Sequence, residues 1–168
     1  MSVTKPNKTT ATKLKRIASL SRGDSKLEFK WLMPHFNEGS LKECFRQING
    51  RRSVGADGVT KKEYGRSVDE KIKSLVDRMK TMSYRPQPVR EVLIPKHDSK
   101  GGTRPLGISN FEDKLIQMMA SKVLNSIYDP IFHECSYGFR SGRSCHDAIK
   151  ALSDDLHNNW CEGLLMWI

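Results

Sequence analysis

The chain has 168 residues, 37% hydrophobic and 29% charged, enough for one ordinary domain whose core closes without disulfides or metal. No uninterrupted apolar run approaches the ~18 residues of a membrane-spanning helix, which excludes such a helix. Twenty-nine Lys and Arg against 19 Asp and Glu leave a net charge of +10, so the expected partner is a polyanion, either nucleic acid or an anionic membrane surface.

Residues 1–24 read as a flexible basic tail. They hold Lys5, Lys8, Lys13, Lys15, Arg16 and Arg22 among many Ser and Thr. Its use stays open among a solvated tail, an arm lying on phosphates and an organelle transit peptide. The folded part is expected over residues 25–168. Pro34 separates a short segment around Leu27 and Trp31 from a helix with Leu41, Cys44, Phe45 and Ile48 on one face. Ser40 with Glu43 has the spacing of a capping box, and Asn49-Gly50 closes the helix. Residues 51–60 form a Gly-containing basic loop. Ser67 and Glu70 then open a second helix carrying Val68, Ile72, Leu75, Val76 and Met79, which ends at Tyr84-Arg85-Pro86-Gln87-Pro88.

Two short branched stretches, residues 89–94 and 106–108, flank a polar Gly-rich turn and predict a β-hairpin. Leu115, Ile116, Met119, Val123 and Ile127 mark a helix that stops at Pro130. Cys145, Ala148, Ile149, Leu152 and Leu156 mark another, opened by Ser144 with Asp147. The run from Leu164 to Ile168 reads as a strand just beginning, on which the chain is expected to be cut off. The predicted class is α+β, mostly helical, with one hairpin. Cys44, Cys135, Cys145 and Cys161 contain no C-x-x-C pair. His133, Cys135, Cys145 and His146 make a poor zinc set, because adjacent residues on a helix do not face one site. Reduced thiols in a cytosolic protein are the expectation.

Two segments carry candidate chemistry. Lys96 ends one hairpin strand, Arg104 opens the other, and Lys100 sits on the turn. Cross-strand geometry can bring Lys96 and Arg104 to one end of the ribbon, where two cations would grip a phosphate; solvated charges are the alternative. In Tyr137-Gly138-Phe139-Arg140-Ser141-Gly142-Arg143, glycines permit close backbone approach, arginines neutralise phosphate and rings can stack on bases. The alternative is that the rings anchor a core and the arginines are surface charges.

Taken together, several runs resemble group II intron reverse transcriptases. They are Gly55-Ala56-Asp57-Gly58-Val59-Thr60, Tyr84-Arg85-Pro86, Ile94-Pro95-Lys96, Arg104-Pro105-Leu106-Gly107-Ile108, Asp113-Lys114-x-x-Gln117, and residues 136–144 with His146-Asp147-Ala148. The family usually has Arg where Lys114 stands. The resemblance implies a right-hand polymerase copying RNA into DNA, often with a maturase role in splicing. It places this chain in the fingers, truncated at the start of the palm. It implies that Lys96 and Arg104 reach the incoming deoxynucleoside triphosphate. It also implies that Arg85, Tyr137, Gly138, Phe139, Arg140 and Arg143 face nucleic acid, with RNA and a DNA primer as partners and no membrane. Bacterial cytoplasm, or an organelle, is the implied setting.

Two-metal phosphoryl transfer needs converging carboxylates. The family takes them from an Asp after the Gly-Phe-Arg block and from a Tyr-x-Asp-Asp turn, which this sequence does not contain. Asp154 and Asp155 fall within a helical pattern and read as a solvated face. The chain alone is therefore expected to be inactive and without metal ligands, Mg²⁺ belonging to the intact enzyme. The rival expectation is a non-catalytic module that grips intron RNA.

Overall fold

A computed structural model describes residues 9–96 and 101–158. Its elements run α1 (Thr10–Gly23), a 3-10 turn (Met33–His35), α2 (Glu38–Gln47), α3 (Lys61–Gly65), α4 (Val68–Lys80), β1 (Arg90–Pro95), β2 (Thr103–Ile108), α5 (Phe111–Tyr128), a second 3-10 turn (Asp129–Ile131) and α6 (Cys145–Asn158). The class is α+β and mostly helical, with one two-stranded antiparallel sheet among the described residues.

The core is organised around α5. Leu115, Met119, Val123 and Ile127 recur every four residues and so share one side of the helix. The first three are at most 1% exposed. α1 and α2 pack on α5, and α4 packs on α2. Leu41 and Cys44 of α2 and Ile72, Leu75 and Val76 of α4 complete the buried cluster. Each large side chain removed from water contributes about 1.5–3 kcal/mol, and this burial fixes the relative positions of the helices. A trio of rings, Phe45, Tyr64 and Phe111, joins α2, α3 and α5 with centroids 4.9–6.2 Å apart. Lys61 at the start of α3 donates to the Ile48 and Arg46 carbonyls at 2.6 and 3.1 Å. These are end groups of α2 that no intrahelical N–H can reach.

Three expectations are corrected here, and one helix forms as predicted but uncovered by other described residues. Residues 10–23, expected within a flexible tail, form α1, held on α5 by buried Ile17 and by the Ser21 hydroxyl, which donates to the Ile127 carbonyl. The apolar contribution of α1 is small, which is why composition alone suggested a tail. Residues 1–8 lie outside the described residues. The second correction concerns the start of α2, which is capped by Asn37 with Ser40 rather than Ser40 with Glu43. The Asn37 side chain accepts from the Ser40 N–H at 3.1 Å, and the Ser40 hydroxyl accepts from the Asn37 N–H at 3.0 Å. Third, Ser67 makes no side-chain cap; the capping box sits at Thr60 with Glu63 and opens α3, a helix the periodicity does not predict because it spans only five residues.

Last, α6 forms with its Ser144–Asp147 cap, but its apolar side is not covered by other described residues. Ile149, Leu152 and Leu156 are 66%, 44% and 47% exposed. The predicted strand over 164–168, Cys161 and Lys100 lie outside the described residues.

The contrast between α5 and α6 is measurable. Leu115→Ala should lower stability by about 2–5 kcal/mol in denaturant unfolding, since it opens a cavity in a packed core. Ile149→Ala should change it by no more than about 0.5 kcal/mol, as for an exposed position.

Candidate nucleotide and nucleic-acid site

Both feet of the hairpin stand on the first turn of α5. The loop before β1 is fastened by Tyr84, whose hydroxyl donates to the Asp113 carboxylate. Arg78, at the end of α4, pairs with Glu112 at 2.7 Å and lies over the Tyr84 ring. After β2, Gln117 donates to the Ser109 hydroxyl at 3.1 Å. The 51–60 loop docks at the same point. A Cβ on Gly55 would stand 2.6 Å from the Asn110 Cα and 2.8 Å from its nitrogen, so only glycine fits there. Lys114 Nζ donates to the Ser53 carbonyl at 2.6 Å. The Gly-Ala-Asp-Gly and Asp-Lys-x-x-Gln runs thus act together, as the joint between a basic loop and the helix that carries the hairpin.

The hairpin register pairs Ile94 with Arg104 and Pro95 with Thr103. The Lys96 N–H donates to the Gly102 carbonyl at 2.7 Å, which extends the pairing by one step. Lys96 therefore stands opposite Gly102 and diagonal to Arg104, on the same face of the ribbon. The Lys96 Cδ lies 3.6 Å from where a Gly102 Cβ would be, so the lysine stem runs over the glycine. Lys96 and Arg104 are both exposed and have no carboxylate partner among the described residues. A groove beside the hairpin is lined by Arg51, Arg52, Leu106, Ile108, Lys114 and Gln117. Burial, then the Arg52 charge, lowers the Lys114 ammonium below the ordinary lysine value. These three cations were not singled out from the sequence. The adjacent Arg51-Arg52 pair was a visible signal, whereas the approach of Lys114 depends on the fold.

The 137–143 segment separates into internal and outward-facing groups. The Arg140 side chain is 9% exposed. Its Nε donates to Asp129 Oδ1 at 2.9 Å, and its terminal nitrogens donate to the His133, Ser136 and Asp129 carbonyls at 3.0–3.2 Å. With Phe132 beneath it, this guanidinium holds the 129–140 turn together and has little donor capacity left for phosphate. Arg143 pairs with the exposed Glu134 carboxylate and lies over Tyr137, 5.3 Å from the ring centroid. That partner holds the Glu134 carboxyl below its ordinary value. Phe139 points fully into solvent, on a backbone with φ +56°, between Gly138 and Gly142. Arg85 is exposed and, among the described residues, donates only to nearby carbonyls, those of Met82 and Tyr84. Asp154 and Asp155 are exposed on α6. Among the described residues no three His, Cys, Asp or Glu converge to hold a metal ion. No helix of the described residues is long and apolar enough to cross a membrane.

Residues 94–164 match the family model for reverse transcriptase (RNA-dependent DNA polymerase). Group II intron-encoded protein LtrA of Lactococcus lactis subsp. cremoris is 40% identical over 109 residues, which cover 65% of this chain and 18% of that protein. An uncharacterized 91 kDa protein in the cob intron of Schizosaccharomyces pombe is 39% identical over 101 residues, covering 59% of this chain and 12% of its own length. Protein YkfC of Escherichia coli is 37% identical over 103 residues, covering 61% and 26%. Over these stretches the chain is similar to reverse transcriptases and group II intron-encoded proteins, in agreement with the resemblance of its motifs. It aligns with no more than about a quarter of the length of these relatives.

The Asp113 carboxyl has a pH signature. Burial raises it above the ordinary aspartate value, opposed by the main-chain N–H of Gln87. Between the ordinary and the raised value, the folded chain holds a proton that the unfolded chain has released, so this group's contribution to stability falls as pH rises through that window. Asp113→Asn removes the titration. The stability of the native chain minus that of Asp113→Asn should therefore decline with rising pH in the acid range and level off above it. Urea unfolding across pH tests this, and a difference that grows with pH would show the carboxylate to be stabilised instead.

Proposed function

We propose that this chain is the fingers portion, reaching the start of the palm, of a group II intron-type reverse transcriptase. In this reading it binds RNA, as template or intron, together with a DNA primer and the triphosphate of the incoming deoxynucleotide. The observation that carries the proposal is the hairpin register, which sets Lys96 and Arg104 on one exposed face within the segment that matches reverse transcriptases. An arginine fork and a lysine point charge on one face suit the oxygens of a polyphosphate. The groove lined by Arg51, Arg52 and Lys114 runs beside that face and supplies charge for an RNA backbone. Arg85, Arg143, Tyr137, Gly138 and Phe139 extend the nucleic-acid surface in this reading, and Arg140 shapes it from within. The metal-holding carboxylates of polymerisation, and with them Mg²⁺, belong to other parts of the intact enzyme.

The test of the triphosphate assignment uses a full-length group II intron reverse transcriptase carrying this segment. A charge-assisted hydrogen bond is worth about 1.5–3 kcal/mol, so Arg104→Ala should reduce kcat/KM for the nucleotide by about ten- to a hundredfold. Lys96→Ala should act in the same direction, with RNA affinity nearly unchanged in both. Lost RNA binding with intact nucleotide use would make the hairpin a template grip. For the chain itself, affinity for structured RNA should fall about a thousandfold between 50 and 200 mM salt if about six phosphates are neutralised. A flat response would mean that the positive charge is solvated surface.

A further inference from the structure

A cleft of about 280 Å³ opens between α1, the C-terminal part of α5 and the turn after it, away from the hairpin. Arg22, Asn125, Asp129, Phe132, Phe139 and Ser141 line it. Phe139 is the unusual member. Bulky side chains rarely occupy the left-handed region, and a residue held there calls for an explanation outside local comfort. Core packing does not supply one, because the Phe139 side chain is fully exposed. Arg140 holds the turn in place through its four hydrogen bonds, so the ring is presented by a supported backbone.

The groups around the ring have complementary chemistry. The Asn125 side-chain amide, a donor and an acceptor together, has no hydrogen-bond partner among the described residues. Arg22 has no carboxylate partner among them either. An exposed π-face, an amide edge and a cation match, in turn, the face of a base, its hydrogen-bonding edge and its phosphate. A base inside a duplex presents no free face, so the fit is to an unpaired nucleotide.

We propose that this cleft binds one unpaired nucleotide of RNA, its base stacked on Phe139, its edge on Asn125 and its phosphate on Arg22. The inference rests on the RNA-binding reading above and names the RNA feature recognised. It gives α1 a direct part in binding, through Arg22, in addition to its packing on α5.

The test measures binding of the purified chain to a blunt-ended RNA duplex and to the same duplex with one bulged nucleotide. The native chain should prefer the bulged RNA. Phe139→Ala should weaken binding to it by about five- to a hundredfold, the range of base–aromatic stacking, and leave the paired RNA unaffected. Phe139→Gly, which removes the ring and eases the backbone, should match the alanine variant, whereas Phe139→Trp should keep the preference. Arg22→Ala should reduce the salt slope on the bulged RNA by about one. If Phe139→Ala weakens both RNAs equally, or neither, while the native chain still binds RNA, the cleft assignment is wrong and the RNA-binding reading survives. If the native chain binds neither RNA, both fall.

Discussion

The first turn of α5 is the constraint on which the site depends. Its stripe of Leu115, Met119, Val123 and Ile127 is buried, so the helix cannot shift without opening the core. Onto its start come the 51–60 loop, through the Gly55–Asn110 approach and Lys114, the segment before β1, through Tyr84 and Asp113, and the end of α4, through Arg78 and Glu112. Two loops and the end of α4, all carrying polar or basic residues, are thus referred to one buried helix. A Cβ at position 55 would have to displace Asn110 backbone, which no side-chain rearrangement can relieve.

Much of this was legible in the sequence. The apolar spacing of α2, α4 and α5 and the two branched stretches of the hairpin each state a local preference, and the tertiary structure agrees with them. What escaped was structure decided by contacts distant in sequence. α1 looks like a tail because Ile17 is its one buried apolar residue and its tether is a serine hydroxyl meeting a carbonyl over a hundred residues away. Capping was harder still. Several Ser and Thr have a suitable acid three residues on, and only the local backbone decides between Ser40 with Glu43 and Asn37 with Ser40. For α6 the period was right, but periodicity cannot say whether a partner covers the apolar side.

The same distinction governs the cations. Sequence places Arg140 and Arg143 three residues apart in one basic aromatic run, with nothing to tell them apart. In the fold, Arg140 is enclosed and hydrogen-bonded to three main-chain carbonyls and Asp129, while the partly exposed Arg143 side chain is hydrogen-bonded only to the exposed Glu134, through its carboxylate and its main-chain carbonyl, among the described residues. A surface ion pair is worth at most about 1 kcal/mol and can exchange its carboxylate for a phosphate. An enclosed guanidinium with its donors satisfied cannot do so without dismantling the turn. The 29 Lys and Arg of the chain are therefore an upper bound on its contacts with phosphate, and arginines of the Arg140 kind must be subtracted from that count.

The hairpin is the least buried part of the site, with most residues of both strands exposed on either face. A two-stranded hairpin has little stability of its own, and segments with few buried contacts are those that open or shift most readily. Here its feet are fixed and its far end carries the two cations. Bending about fixed feet would move Lys96 and Arg104 together, since the register keeps them on one face at constant separation. A polyphosphate bridging them would in turn hold the strands in register against the repulsion of two like charges. Low intrinsic stability at the ribbon and high rigidity at its base are in this way parts of one arrangement. In the proposed reading, the first would let the cations approach and release a polyphosphate, and the second would keep their approach aligned with the basic groove beside them.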